Sequence, residues 1–185
     1  TGGARRKGAA RRDPERGSVD LISISSVVTA GSCPLRLYLE RRTPRAESPR
    51  YTVCKQISYH LGSRLDAGAI WKEVRMVAPL IEPAMQVFLE GCVQRCRERD
   101  WPVPVQTDLA VTSESLGIRG VVDKIFAEEP YFALTRSSEA PAAGVYASDR
   151  LRVAAYAACL RETLGLAVEG GYVEYIPSGV LRLCI

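Results

Sequence analysis

Apolar positions in this chain recur with two different periods. Val105, Thr107, Leu109 and Val111 alternate with more polar neighbours, the two-residue period of a strand, and predict one over 105–112. Glu114-Ser115-Leu116-Gly117 then turns the chain into a second strand, 118–126. Glu128-Glu129-Pro130 turns it again into a third, 131–136. The three form an antiparallel meander. On either side the period becomes helical. Met85, Phe88, Leu89, Cys92 and Cys96 fall at i, i+3, i+4, i+7 and i+11, one face of a helix running from Pro83 to about Arg99. Earlier, Cys33 and Pro34 stand at the N-cap and first position of a helix over 35–42. A second helix is expected over about 55–74. After the meander, Ser148-Asp149 cap a helix that stops at Gly165. A strand over 171–176, a turn at Pro177-Ser178-Gly179 and a last strand through Leu181 complete the chain. This order predicts an α/β domain with a mixed central sheet flanked by helices.

The composition is 46% hydrophobic and 25% charged, that of a soluble globular protein. No apolar run approaches the ~18 residues that a membrane span needs, so no membrane partner is expected. The formal charge of +4 is concentrated at one end. Residues 1–17 carry six basic and two acidic side chains, and the remainder carries 19 of each. Residues 1–18 therefore read as a basic disordered tail, and 19–185 as one domain. Such a tail either neutralises phosphates or is a solvated leader. Its charges are followed by no apolar stretch, so it is not a signal peptide, and the expected location is cytoplasmic. Thr1 in place of Met, and a strand still running at Ile185, read as a fragment truncated at the C-terminus. Six scattered cysteines without a signal peptide are reduced thiols or metal ligands rather than a disulfide framework. Cys92 and Cys96 belong to an apolar stripe and read as core.

Asp123 follows Val121-Val122 in the middle of the meander. A carboxylate buried there needs a partner, either a metal or a cationic side chain. His60, the single histidine, lies on a predicted helix, either as a ligand or as an ordinary polar residue. On the helix after the meander, Asp149, Arg152 and Tyr156 make a polar stripe. That stripe lines a phosphate-binding cleft or faces solvent, while Leu151, Ala155, Ala158 and Leu164 are expected to face the core.

Several short motifs occur in order: Ser25-Ser26 with Cys33-Pro34-Leu35-Arg36-Leu37-Tyr38-Leu39-Glu40, then His60, Gly120-x-x-Asp123, Ser148-Asp149-Arg150-Leu151 leading to Tyr156, and Gly171-Tyr172-Val173-Glu174-Tyr175. Together they resemble the RecB-like exonucleases, most closely the CRISPR-associated branch (the "Cas four" type). The resemblance implies a restriction-endonuclease-like PD-(D/E)XK core. It implies a Mg²⁺- or Mn²⁺-dependent exonuclease acting on DNA ends during spacer acquisition, beside an integrase partner. It assigns catalytic roles to Asp123, Arg136 and Tyr156, and places metal at His60, Asp123 and a further acid. Arg152 and Arg36 would contact DNA. Cys33 would supply one thiolate of a [4Fe–4S] cluster whose other three cysteines are expected beyond Ile185, so the cluster is not expected in this fragment.

The chain departs from the family pattern where the chemistry is done. The acid and lysine expected on the third strand are Leu134 and Arg136, and the glutamine expected four residues before Tyr156 is Arg152. Leu134 removes a ligand and a charge. Arg136 keeps its charge but cannot surrender a proton. Glu139 is the best-placed substitute carboxylate. The expectation is an exonuclease-family protein with reduced cleavage; the alternative is an inactive module of the same fold that binds DNA ends or a partner.

Overall fold

The computed structural model describes residues 20–43 and 47–185. The expected basic tail, 1–18, lies outside the described residues. The fold is α/β, with a six-stranded mixed sheet flanked by helices. A two-residue strand, β1 (Ile22–Ser23), leads into α1 (Ile24–Ser32), whose N-cap Ser23 accepts from the Ser26 amide at 3.1 Å. Cys33 then caps α2 (Pro34–Arg42) without a side-chain hydrogen bond. Ser48 and Pro49 open α3 (Pro49–Tyr59), with the Ser48 hydroxyl accepting from the Tyr51 amide at 3.2 Å.

The single helix expected over 55–74 is two helices. Its second part, α4 (Ala67–Val77), starts afresh at Asp66, which accepts from the Ala69 amide at 3.0 Å. Between them the chain passes through Gly62 at φ +86°, a conformation that halts a helix and that glycine adopts without cost. The apolar spacing continues across the gap because Ile57, Leu61, Leu65, Ile70 and Val74 all enter one core, on both sides of the break.

That core is shared with α5 (Ala84–Cys96). Leu89, Cys92 and Cys96 are wholly buried with Val53, Cys54, Ile57 and Ile70, so the cysteine stripe is core as expected. Each fully buried Leu or Ile contributes about 1.5–3 kcal/mol relative to exposure.

The meander is β2 (Gln106–Ser113), β3 (Ile118–Ile125) and β4 (Phe132–Arg136). Both hairpins are antiparallel. Next comes α6 (Ala147–Leu164), then β5 (Gly171–Tyr175), a 3₁₀ turn (Ile176–Ser178) and β6 (Val180–Cys184). β5 returns parallel to β4 after the α6 crossover, while β6 is antiparallel to β5. β1 pairs in parallel with the start of β3.

A second core lies between the sheet and α1 and α6, built from Ile24, Val122, Phe132, Leu134, Val153, Tyr156, Leu160 and Val173. The face that α6 buries is only partly the one expected: Ala155 packs against this core. Leu151 and Leu164 are 40% and 41% exposed, whereas Asp149, Val153, Tyr156, Ala157 and Leu160 are buried. Ser148-Asp149 do not cap this helix either; Tyr146 holds the N-cap position and Asp149 turns inward. The apolar count misleads because Asp149 finds a cation and a hydrogen-bond donor inside, Arg136 and Tyr175.

Gly120 on β3 explains one motif. A Cβ built there would lie 2.7 Å from Tyr156 Cε1 and 2.8 Å from its hydroxyl oxygen, so the tyrosine occupies the space above the strand. Gly120→Ala should therefore destabilise the fold by about 1–3 kcal/mol, the usual cost of overpacking. Urea unfolding monitored by circular dichroism measures it, and Gly120→Ala combined with Tyr156→Ala should lose less than the sum of the single changes.

Candidate functional site

The β2–β3 ladder pairs Thr107 with Lys124 and Leu109 with Val122. Asp108 therefore stands across from Asp123, two like charges on adjacent strands. Asp108 has φ +54°, the non-glycine positive φ among the described residues and a local strain of order 1–3 kcal/mol. Lys55 of α3 resolves the repulsion. Its Nζ donates to Asp108 Oδ1 at 2.7 Å and also to Asp123 Oδ1. One helical turn on, the Tyr59 hydroxyl donates to Asp108 Oδ2 at 2.6 Å. The Thr135 amide of β4 donates to Asp123 Oδ2 at 2.8 Å. Both oxygens of Asp123 are thus engaged by the protein itself.

The electrostatics follow from this cluster. Burial alone would lower the Lys55 pKa, but the Asp123 charge and the bonds to both carboxylates push it well above the usual lysine value. Burial raises Asp108, yet the Lys55 and Tyr59 hydrogen bonds outweigh it and hold its carboxyl below 3.8. Tyr51, one turn before Lys55, is pushed up to about 12 by burial and by Asp123. Tyr59 rises to about 12 through burial and its bond to Asp108. Tyr156 is also raised, by burial first and then by Asp123.

On the other side of Asp123 the β3–β4 pairs are Lys124 with Ala133 and Ile125 with Phe132, so the register carries Leu134 to the position facing Asp123. Leu134 is 1% exposed and packs in the sheet core. Arg136 follows, its Nε 2.8 Å from Asp149 Oδ1. Asp149 is wholly buried, and its Oδ2 accepts from the Tyr175 hydroxyl at 2.8 Å. On the α3 side of the sheet lies a fully buried pair, Lys124 with Glu174 at 2.8 Å. Thr135 Oγ1 donates to Glu174 at 3.3 Å and lies 3.0 Å from the Ser58 hydroxyl of α3. Burial presses both partners toward their neutral forms, lowering Lys124 and raising Glu174.

These elements enclose a cleft of about 960 Å³. Asp123, Leu134, Arg136, Arg152, Tyr156 and Arg36 line it. An adjoining hollow of about 730 Å³ continues past Asp123 to Lys55 and Asp108. Arg152 and Tyr156 of the polar stripe therefore face this cleft, and Asp149 is buried behind Arg136. Arg36 reaches the cleft from α2 while paired with Glu40 at 2.7 Å.

Three expected site residues are not gathered there. His60 caps the end of α3, and its Nε2 lies 2.7 Å from Glu73 Oε2 on α4. The reason is the helix break, which makes His60 the last residue of one helix rather than an inward position of a longer one. Glu139 does not supply a substitute acid to Asp123; it accepts a hydrogen bond from Ser178, beside the 3₁₀ turn. Cys33 is exposed between α1 and α2, while the other five cysteines are buried. Among the described residues no three His, Cys, Asp or Glu side chains gather in a way that could hold a metal ion. A Mg²⁺ or Mn²⁺ site also needs free oxygen donors. Lys55 and Thr135 take those of Asp123, and Leu134 offers none, so the residues present do not fit the ion.

No protein-family model matches the chain, and no curated protein matches it. The site's description accordingly rests on its own geometry. Sequence reading missed Lys55 and Asp108. Both had a signal: the turn centred between Ser115 and Leu116 places 108 opposite 123, and Tyr51, Lys55 and Tyr59 recur every four residues on one helix face.

Lys55→Met tests the bridge. The lowered Asp108 pKa gives stability that is present above 3.8 and lost as pH falls through the folded value. The raised Lys55 pKa gives stability fully present below 10.5 and lost as pH climbs through its folded value. Neutral pH lies inside that window. Asp108 is 42% exposed, so water screens its share, and the less accessible Asp123 contact carries more. The variant should lose about 1–3 kcal/mol at neutral pH. The deficit should shrink as Asp108 takes up a proton in acid. Urea unfolding of both proteins across pH reads this, and a deficit that grows on acidification would contradict the bridge.

Proposed function

We propose that this chain is a DNA-binding module with the restriction-endonuclease-like, RecB-like PD-(D/E)XK fold, of the CRISPR-associated exonuclease type, in which metal-dependent cleavage is lost or greatly reduced. The element order supports the fold: helices, an antiparallel meander, a helix, and a strand parallel to the last strand of the meander. One observation carries the functional reading. The Lys55 ammonium is bonded to both Asp108 and Asp123, where a nuclease of this type would need carboxylate oxygens for its ion.

The remaining chemistry agrees. Hydrolysis of a phosphodiester needs an activated water and a group to accept its proton. Lys55 is held protonated, Tyr51, Tyr59 and Tyr156 all have raised pKa values, and Arg136 cannot act as a base. Arg36, Arg136 and Arg152 give the cleft three guanidinium groups suited to phosphate oxygens. The module would hold single strands or DNA ends, beside an integrase partner if the resemblance extends to its setting. A [4Fe–4S] cluster needs four thiolates. Cys33 offers one of them at the surface, and the buried cysteines are committed to cores.

Fluorescence anisotropy with a labelled single-stranded oligonucleotide should show salt-dependent binding, weakened at least about tenfold by Arg136→Ala with Arg152→Ala. Incubation of the same oligonucleotide with Mg²⁺ or Mn²⁺ should leave it intact. Cleavage that disappears in Asp123→Ala would show a working nuclease centre. Absence of binding at low salt would remove the DNA reading.

A further inference from the structure

The Arg152 Nε is shielded from solvent and has no hydrogen-bond partner among the described residues, a condition shared by the Nε of Arg182 and by that of Arg136, which nevertheless lies against Asp149. The Arg152 Nη1 makes one long hydrogen bond, to the Ser25 hydroxyl at 3.4 Å. Burial and then the charge of neighbouring Arg136 both lower its pKa, so its environment disfavours the cation as it stands. A buried donor without an acceptor costs about 1–3 kcal/mol.

The nearby acids are already engaged. Asp149 is shared by Arg136 and Tyr175, Asp123 by Lys55 and Thr135, and Glu40 by Arg36. Glu47 lines the cleft too, exposed at its edge. Arg152 thus carries positive charge toward an open cleft, beside a second arginine and a serine hydroxyl. An oxyanion bound there would accept from Arg152 and Ser25 and offset the repulsion between the two guanidiniums.

We infer that Arg152, Arg136 and Ser25 form a phosphate-binding subsite in the wall of the cleft. The inference deepens the DNA-binding reading, on which its biological ligand rests, by naming the group that the cleft grips. The phosphate comes from a strand terminus or from the backbone.

The first probe is inorganic phosphate titrated into the protein in a non-coordinating buffer. Saturating phosphate should raise Tm by about 2–4 °C. Arg152→Gln should abolish that shift, and Arg152→Lys should keep part of it, because a point charge lacks the fork. Ser25 is exposed, so Ser25→Ala should fold normally and show a reduced shift, which covers the case of an unfolded Arg152 variant. The second probe is a set of oligonucleotides with a 5′-phosphate, a 3′-phosphate or neither. A loss in Arg152→Gln confined to one phosphorylated end, about tenfold or more, assigns the subsite to that terminus. An equal loss for all three assigns it to a backbone phosphate. A phosphate shift without DNA binding would sustain the subsite and sink the DNA reading. DNA binding with no phosphate shift, and no effect of Arg152→Gln or Ser25→Ala, would overturn the subsite and leave the DNA reading standing.

Discussion

The arrangement of the site depends on one ammonium group. Asp108 and Asp123 are brought face to face by the β2–β3 ladder, and without a cation between them the ladder would carry an uncompensated repulsion at its centre. Lys55 supplies the cation from a helix outside the sheet. The same contact therefore fixes where α3 sits against the sheet and how close the two strands may run. It explains why Asp108 tolerates a positive φ: Lys55 and Tyr59 hold its carboxylate on both oxygens, and those bonds offset the strain. It also sets the chemistry, since a carboxylate saturated by protein donors has little left for an ion or a water.

A second polar layer reinforces that docking. Lys124 and Glu174 form a wholly buried pair, and Thr135 joins Glu174 to Ser58 on α3. Such a pair adds little net stability against an apolar replacement, but it is specific: breaking one side leaves a buried charge. Thr135 takes part in both layers, its amide on Asp123 and its hydroxyl in the Ser58–Glu174 network. A residue that sequence reading treats as the neutral spacer between acid and lysine is the junction between sheet and helix.

Much of the fold was legible because it follows period and punctuation. The meander, the return strand, and the helices opened by Pro34 and closed by Gly165 lie within one or two residues of their expected bounds. Where reading failed, a local signal was overridden by a tertiary one. The apolar pattern ran straight through the break at Gly62, because both helices feed one core. On α6, Leu151 and Leu164 looked like the inner face, but Asp149 turns inside, with its charge against Arg136 and its Oδ2 hydrogen-bonded by Tyr175. Asp123, Arg136, Arg152, Tyr156 and Arg36 line one cleft. His60 and Glu139 do not join them, since no sequence spacing reveals that Glu73 and Ser178 already occupy them.

The departures at Leu134 and Arg152 act in the same direction. Compared with the acid and glutamine that the resembled family would place there, leucine removes a negative charge and arginine adds a positive one. The local balance shifts by two units in a partly dehydrated cleft, where charges are felt more strongly than in water. Lys55 offsets one of the two remaining charges by binding Asp123 and Asp108 together. The cleft thus presents guanidinium groups, and both oxygens of Asp123 are already bonded. Its lining carries Arg36, Arg136 and Arg152 against Glu40, Glu47 and Asp123, so the excess of guanidinium is local to the Arg136–Arg152 wall. Leu134 and Lys55 withhold oxygens from an ion, while Arg152, beside Arg136, adds a donor group to the cleft wall.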